Sequence, residues 1–312
     1  MDSNNTYKKI VPALIIIFLI TMAIFDYNQI KLSQAENILL KAEPNIKEIN
    51  TATSTISSTT TPKTTPEIIN IENKTPDLPP DQTSTSTVSL NVPILVYHSV
   101  HPAEKNETDL MKEFNVTPET FEKQLAFLKE NSYTVISFDD YISALKNEKT
   151  LPEKSVMINF DDGWKNQYDY AFPILKKYND TATFFIETNF INHHGFLSLD
   201  EIKELRDTGM TIGAHTKNHP KLSTITDQNI LDDEIAGSKK VLENDLGQPV
   251  KYLAYPYGLY NDQVIETTKK AGFLAGRSFT GGKHNTTDNL FNLKTVTATE
   301  DMIHFSKELN KK

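Results

Sequence analysis

The sequence contains no cysteine. That excludes a disulfide-held scaffold and any thiolate metal site, so a metal here has to be held by histidine and carboxylate. Glycine is scarce as well: there are eleven, none before Gly163. Neither G-x-G-x-x-G nor G-x-x-x-x-G-K occurs, which removes the two glycine loops that cradle nucleotide phosphates. Positive charge is outweighed, 32 Lys and Arg against 41 Asp and Glu, for a net charge of −9. A nucleic-acid partner would want a basic stripe instead, so none is expected. Tryptophan occurs once, as Trp164.

Long apolar runs are also missing, with one exception. Ile10 to Phe25 reads IVPALIIIFLITMAIF, sixteen residues without a charge. A membrane-spanning helix wants about 20 apolar residues, with a lower limit near 17. Tyr7 and Tyr27 flank the run and extend it into the two interfaces. Lys8 and Lys9 on the N-terminal side favour a cytoplasmic N-terminus and an exported remainder. Residues 1–27 are therefore expected to anchor the chain in a lipid bilayer, single-pass, at the cell membrane. The competing reading is a cleaved signal with Ser33-Gln34-Ala35 as its small-residue site, giving a secreted protein.

Residues 28–90 follow as a Ser/Thr/Pro-rich stretch; eleven of the sixteen residues at 51–66 are Ser or Thr. So little apolar surface cannot offset the entropy of ordering, so a disordered linker is expected. As a coil it would span ~45 Å on average, enough to hold a domain off a membrane.

From residue 91 to 312 the pattern is that of one globular domain. Strand-length apolar runs recur at 92–97, 133–138, 156–160, 181–186, 211–215 and 251–256. Helical patterns separate them: one opened by Thr117-Pro118, with Phe121, Leu125 and Leu128 on one face; one behind a Ser198/Glu201 capping box; one carrying Ile230, Leu231 and Ile235; one carrying Val264 and Ile265; and a last one with Ile303, Phe305 and Leu309. Alternating strands and helices imply parallel strands with right-handed crossovers. About seven such units point to an α/β fold, a (β/α) barrel, with an open doubly wound sheet as the alternative.

Polar residues gather where these strands end: His98, Asp161-Asp162, His215 and Tyr257. In parallel α/β folds the carboxyl ends of the strands form the active face. His215 and His219 are spaced H-x-x-x-H, and no Glu follows the first His, so the metalloprotease H-E-x-x-H reading fails. Two imidazoles and one carboxylate make a catalytic metal site with a position left for water. A second, adjacent carboxylate can then deprotonate that water. That is the chemistry of amide or ester hydrolysis.

NFDDGW at 159–164, HTKNH at 215–219 and YPYG at 255–258 are similar to the three leading motifs of polysaccharide deacetylases, carbohydrate esterase family 4, with the NodB-type domain. The resemblance covers about residues 91–312, in the family's order and spacing. It implies a distorted (β/α) barrel with one divalent metal, usually zinc, with cobalt or nickel as alternatives. It implies Asp161 as catalytic base, Asp162, His215 and His219 as metal ligands, and the backbone amide of Tyr257 as donor to the tetrahedral oxyanion. The attacked group would be the acetamide of an N-acetylglucosamine unit. The partner expected is an acetylated glycan: poly-N-acetylglucosamine, peptidoglycan or a chitin-like oligomer.

Two departures stand out. Many members carry Arg two residues before the proline of the third motif, where this chain has Ala254. Arg277 is a candidate substitute, with a surface arginine as the plain alternative. The late Leu-x-Leu-His that supplies a general acid is absent, and His304 reads as a surface residue of a helix. On both points the chain is similar to the exported poly-N-acetylglucosamine deacetylase branch, which has an early strand ending in Tyr-His. Tyr97-His98 fits it, so His98 is expected to be the general acid or to stabilise the intermediate. Trp164 is expected either to line the sugar cleft or to fill the core, and His193-His194 to lie in a solvated loop. Two further readings of the same residues are a non-catalytic glycan-binding module and an esterase acting on O-acetyl groups.

Overall fold

Five of the six expected apolar runs become strands of one closed ring. The strands are β1 (Ile94–Tyr97), β2 (Ser155–Phe160), β3 (Thr183–Ile186), β4 (Thr211–Ala214), β5 (Tyr252–Ala254), β6 (Ala275–Gly281) and β7 (Leu293–Thr297). The computed structural model describes residues 87–105 and 107–310. The expected anchor at 1–27 and nearly all of the expected linker at 28–90 lie outside the described residues. Among the described residues no helix is long and apolar enough to cross a membrane.

Each strand pairs in parallel with its sequence neighbour, and β7 pairs with β1 through Val296↔Leu95, while β1 pairs with β2 through Ile94↔Met157 and Tyr97↔Phe160. The result is the seven-stranded parallel barrel that the alternation predicts. The sixth apolar run, 133–138, stays outside the ring. Only Thr134 and Val135 pair, with the start of β2, because Ser137 then caps a helix over Phe138–Leu145.

Strands β6 and β7 escape a reading by apolar runs. They read AGRSFTG and LKTVT, with glycines, an arginine and hydroxyls where buried parallel strands normally carry Val, Ile and Leu. Ser89–Asn91, at the boundary expected between linker and domain, pairs antiparallel with His284–Thr286.

Side chains alternate between the two faces of the barrel wall. Along β2, Val156, Ile158 and Phe160 pack outward with helical residues such as Phe121, Leu125 and Leu128. Met157 points inward to a separate cluster with Ile94, Phe185, Tyr252, Ala254, Ala275 and Leu293. The helix Phe138–Leu145 adds Phe138, Tyr141, Ile142 and Leu145 to that inner cluster. Phe138 stacks on Tyr252, the first residue of β5, with ring centroids 4.2 Å apart. The amino end of the barrel is thus stoppered, and the carboxyl end is left for chemistry.

Gly213 serves this interior. A Cβ there would stand 2.5 Å from the Phe185 ring, so only glycine lets that ring fill the barrel.

The expected helix signals at Thr117-Pro118 and at Ser198/Glu201 are both present as caps. Two apolar residues of the expected helices face solvent: Ile303 is 79% exposed and Ile230 54%. In the last helix Phe305 and Leu309, four residues apart, define the buried face. Ile303 lies two residues before Phe305, on the far side of the turn.

Candidate active site

His98 follows β1, Asp161 and Asp162 follow β2, His215 follows β4, and Tyr257 lies just beyond β5. Left-handed backbone marks the same places: Asp162 (φ +73°), Thr216 (φ +67°), His219 (φ +55°) and Tyr257 (φ +58°). Such backbone costs a residue with a Cβ roughly 1–2 kcal/mol. It persists only where the surroundings hold it, and such strain clusters at functional sites. All four residues belong to the three motifs.

Asp162 Oδ1 stands 3.4 Å from His215 Nε2 and 3.5 Å from His219 Nε2. The three donor atoms lie within 4.8 Å of one another. Tetrahedral zinc with ligands at 2.0–2.1 Å sets neighbouring ligand atoms ~3.3 Å apart, so the donor set fits a metal of that size. The chemistry fits too. His215 Nδ1 donates to the carbonyl of Ala254 at 2.8 Å, which turns Nε2 toward Asp162. Burial pulls the His215 imidazole down, but in the metal-free site that pairing with Asp162 outweighs it and raises the imidazole, and a bound cation would take the place of the Nε2 proton. Burial pushes the Asp162 carboxyl up, but its bond to His215 and the nearby histidine charges outweigh that and hold it well below the usual carboxylate range. Burial pushes His219 down to about 3, with His215 acting in the same direction. At neutral pH the site therefore offers a carboxylate and an uncharged His219 imidazole, as a cation requires.

The loop joining the two histidines is held from below. Glu234, buried in a π-helical turn over Asp233–Gly237, accepts from the amides of Lys217 (2.9 Å) and Asn218 (3.0 Å) and from Asn218 Nδ2 (2.6 Å). Thr216 Oγ1 accepts from the amide of His219 at 3.0 Å. These bonds stabilise the left-handed turns that bring His219 back beside His215.

Asp161 meets Arg277. The guanidinium Nη2 donates to Asp161 Oδ1, and the arginine is 1% exposed. The surface alternative for Arg277 is thereby overturned. Its side chain lies inside the barrel, with the guanidinium carbon 4.5 Å from the centre of the Phe185 ring. Burial lowers the guanidinium to about 9, which leaves it a cation at neutral pH. Arg277 is the register partner of Ala254 on the adjacent strand. The missing arginine and its candidate substitute are thus neighbours across one pair of strands.

His98 packs edge-on between Phe114 and Phe279, with ring centroids 4.8 and 5.4 Å away. Burial brings it down to about 4; the charge of Asp162 opposes this, and those of Arg277 and His215 add to it. Tyr257 presents its ring outward, 56% exposed, with its centroid 4.6 Å from that of His219. Trp164 donates its ring N–H to Asp162 Oδ2 at 2.9 Å and stacks on Phe196. It belongs to the site rather than to the core. His193, His194 and His304 are exposed, as expected.

Several site residues carry no signal in the sequence. Gln167 is fully buried, and its amide donates to the carbonyls of His98, at 2.6 Å, and of Asp161, tying the ends of β1 and β2 together. Glu187, after β3, is buried, and burial pushes its carboxyl up to about 8 although His215 pulls it down. Phe114 and Phe279, which flank His98, come from a short helix (Asp109–Phe114) and from β6. None falls in a motif.

The family model described as polysaccharide deacetylase matches residues 148–276. YxkH of Bacillus subtilis, named as a polysaccharide deacetylase, is 30% identical over 211 residues, 68% of this chain and 72% of its own length. The poly-beta-1,6-N-acetyl-D-glucosamine N-deacetylase of Staphylococcus aureus is 35% identical over 182 residues, and this chain spans 62% of that protein's length. Among solved structures, the Streptococcus pyogenes deacetylase PplD in complex with acetate superposes with a TM-score of 0.66 at 28% identity, covering 72% of this chain and 100% of that one.

Proposed function

The chain belongs to the polysaccharide deacetylase family, and on that footing we propose that it is a metal-dependent enzyme hydrolysing the acetamide of N-acetylglucosamine units in a polysaccharide outside the cytoplasm. The observation that carries the proposal is the pairing of two sets at one barrel mouth: the Asp162/His215/His219 donors and, beside them, an Asp161 carboxylate held by Arg277. A glycan-binding module needs no such base. The missing third-motif arginine and the missing late histidine are the support for that reading; the contact of Arg277 with Asp161 weighs against the first of these.

A divalent cation held by Asp162, His215 and His219 (zinc, or else cobalt or nickel) supplies Lewis acidity toward the acetyl carbonyl and acidifies water. Asp161 takes the proton from the attacking water as oxygen bonds to the carbonyl carbon. Arg277 fixes the direction of that carboxylate and counters its charge. The amide of Tyr257 donates to the oxyanion that forms, a contribution of about 3–4 kcal/mol where such donors are preorganised. His98 starts neutral, because burial keeps it at about 4. Negative charge developing beside it raises its proton affinity, so it takes up a proton from solvent and passes it to the leaving nitrogen, while the proton held by Asp161 returns to solvent as the products leave. The carbon–nitrogen bond then breaks, giving acetate and a free amine. Trp164 and Tyr257 border the place where the sugar would lie.

The similarity to a staphylococcal enzyme named for poly-beta-1,6-N-acetyl-D-glucosamine supports that polymer as substrate ahead of peptidoglycan and chitin oligomers. The charge-free run at 10–25 behind Lys8 and Lys9 supports a catalytic domain tethered outside the cell membrane. The test is acetate release by the full chain, loaded with zinc, cobalt or nickel in turn, from poly-N-acetylglucosamine, peptidoglycan and chitin oligomers, with O-acetylated glycans in parallel. Release from the first polymer above all others is expected. Release from O-acetyl substrates alone would replace the proposal with an esterase, and release from none would end it.

A further inference from the structure

We infer that Trp164 is a positioning residue that divides the work of the two Asp162 oxygens, and that its fluorescence reports whether the metal site is filled. The inference rests on the metal reading of that site. Asp162 Oδ1 faces His215 and His219 at 3.4 and 3.5 Å, while Oδ2 accepts the Trp164 ring N–H at 2.9 Å. A carboxylate with one oxygen committed to a donor presents the other to a cation. Without that donor it can turn about its last bond and offer both oxygens or neither. Partners of this kind are worth roughly 10–100-fold in metal affinity.

The indole is itself held on several sides. It stacks on Phe196 with centroids 4.4 Å apart and an interplanar angle of 26°, and Phe196 stacks in turn on Phe190 at 4.8 Å. Trp164 and Phe196 also face each other across an antiparallel bridge, flanked by the bonds from Lys165 N to Gly195 O and from Leu197 N to Gly163 O, both 2.9 Å. The loop at 190–197 therefore works as a clamp. It fixes the indole, the indole fixes Oδ2, and Oδ1 is left toward the histidines. Asp162 and Gly163 are both left-handed, at φ +73° each, which folds the chain so that residue 164 can reach back to residue 162. Trp164 is the only tryptophan of the chain. Excited beyond the absorption of the twelve tyrosines, the protein's emission thus comes from one indole bonded to one metal ligand.

The experiment uses the full chain, stripped with a chelator and titrated with zinc or cobalt. Affinity is followed by calorimetry, and emission is followed in parallel. In the wild type, emission should change and saturate at one metal per chain, with the calorimetric midpoint. Asp162→Asn should abolish the change. Trp164→Phe keeps a stacking ring on Phe196 and loses only the N–H. It should bind either metal roughly 10–100-fold more weakly while the melting temperature of the metal-free protein holds. The visible spectrum of bound cobalt, which a purely structural role would leave alone, should change in that variant. Wild-type affinity in Trp164→Phe, or flat emission while calorimetry counts one metal, would overturn the inference and leave the metal site standing. No binding of any metal by the wild type would overturn both.

Discussion

Arg277, in the sixth strand of the barrel, donates to Asp161 at the end of the second, and stands in register with Ala254, the position two residues before the proline of the third motif. The guanidinium reaches that carboxylate from the strand next to the one that carries Ala254. Arg277→Ala leaves a buried carboxylate without its partner, a loss of about 3–5 kcal/mol in comparable cases. Turnover should fall roughly 100-fold or more. Moving the arginine back, in Ala254→Arg with Arg277→Ala, should restore most of both. Steady-state kinetics and thermal melts of the three variants check this. A folded double variant as inactive as Arg277→Ala would show that the position of the arginine, and not its charge, is what Asp161 requires.

Glu187 gives a pH signature in metal-free protein. Its carboxyl goes from a reference value of 4.5 to about 8 in the fold, mainly through burial. A group raised on folding adds stability that is fully present below its unfolded value and is lost as pH rises through its folded value. Glu187→Gln keeps the neutral form throughout. In chelator, the variant and wild type should melt together at about pH 4, below the unfolded value, and the variant should melt several degrees higher at about pH 9. A bound cation would pull the carboxyl down and shrink the gap. Equal melting at both pH values would contradict this.

How much of this was legible in the sequence varies from residue to residue. Asp161, Asp162, His215, His219, Tyr257 and His98 were legible because parallel strands put their carboxyl ends on one face, and each sits just past such an end. The seven-unit barrel followed from alternation, although β6 and β7 were not seen as strands. Both carry polar residues where buried strands normally carry aliphatic ones, and β6 has two glycines and places Arg277 inside the barrel. Arg277 itself was an open choice, because its pairing with Asp161 spans 116 positions and depends on strand register that no local pattern encodes. Gln167, Glu187 and Glu234 act through backbone amides and carbonyls or through burial, and such roles leave no spacing to read.

Glu234 is the clearest of these silent residues. Its carboxylate accepts three hydrogen bonds from the Lys217–Asn218 segment between the two histidine ligands. Glu234→Ala should release that loop, costing on the order of 2–4 kcal/mol for bonds to a buried charge. Zinc affinity should fall with it, because His219 is held in left-handed backbone only by its surroundings. Glu234→Gln still accepts from the two amides and should recover most of the loss. Melting and zinc titration of both variants check the order. Alanine and wild type binding zinc equally well would contradict it.

Gly213→Ala probes the barrel interior beneath the site. The new methyl would meet the Phe185 ring at 2.5 Å, and that ring lies against the Arg277 guanidinium. Overpacking of this kind costs roughly 1–3 kcal/mol. Turnover should fall further than stability alone explains, because the displaced ring shifts the arginine that steadies Asp161. Adding Phe185→Leu should return stability without returning full activity. A folded Gly213→Ala with wild-type turnover would contradict this.

The most direct test of a metal-dependent deacetylase with Asp161 as its base measures acetate release and bound zinc on the same samples. The full chain is stripped with chelator, returned to one equivalent of zinc, and given poly-N-acetylglucosamine, beside Asp161→Asn treated identically. The expected result is no acetate from the stripped chain, restored release with zinc, and an Asp161→Asn protein that holds its zinc and releases none. Acetate from the stripped chain, turnover by zinc-loaded Asp161→Asn, or loss of zinc from that variant would contradict the account.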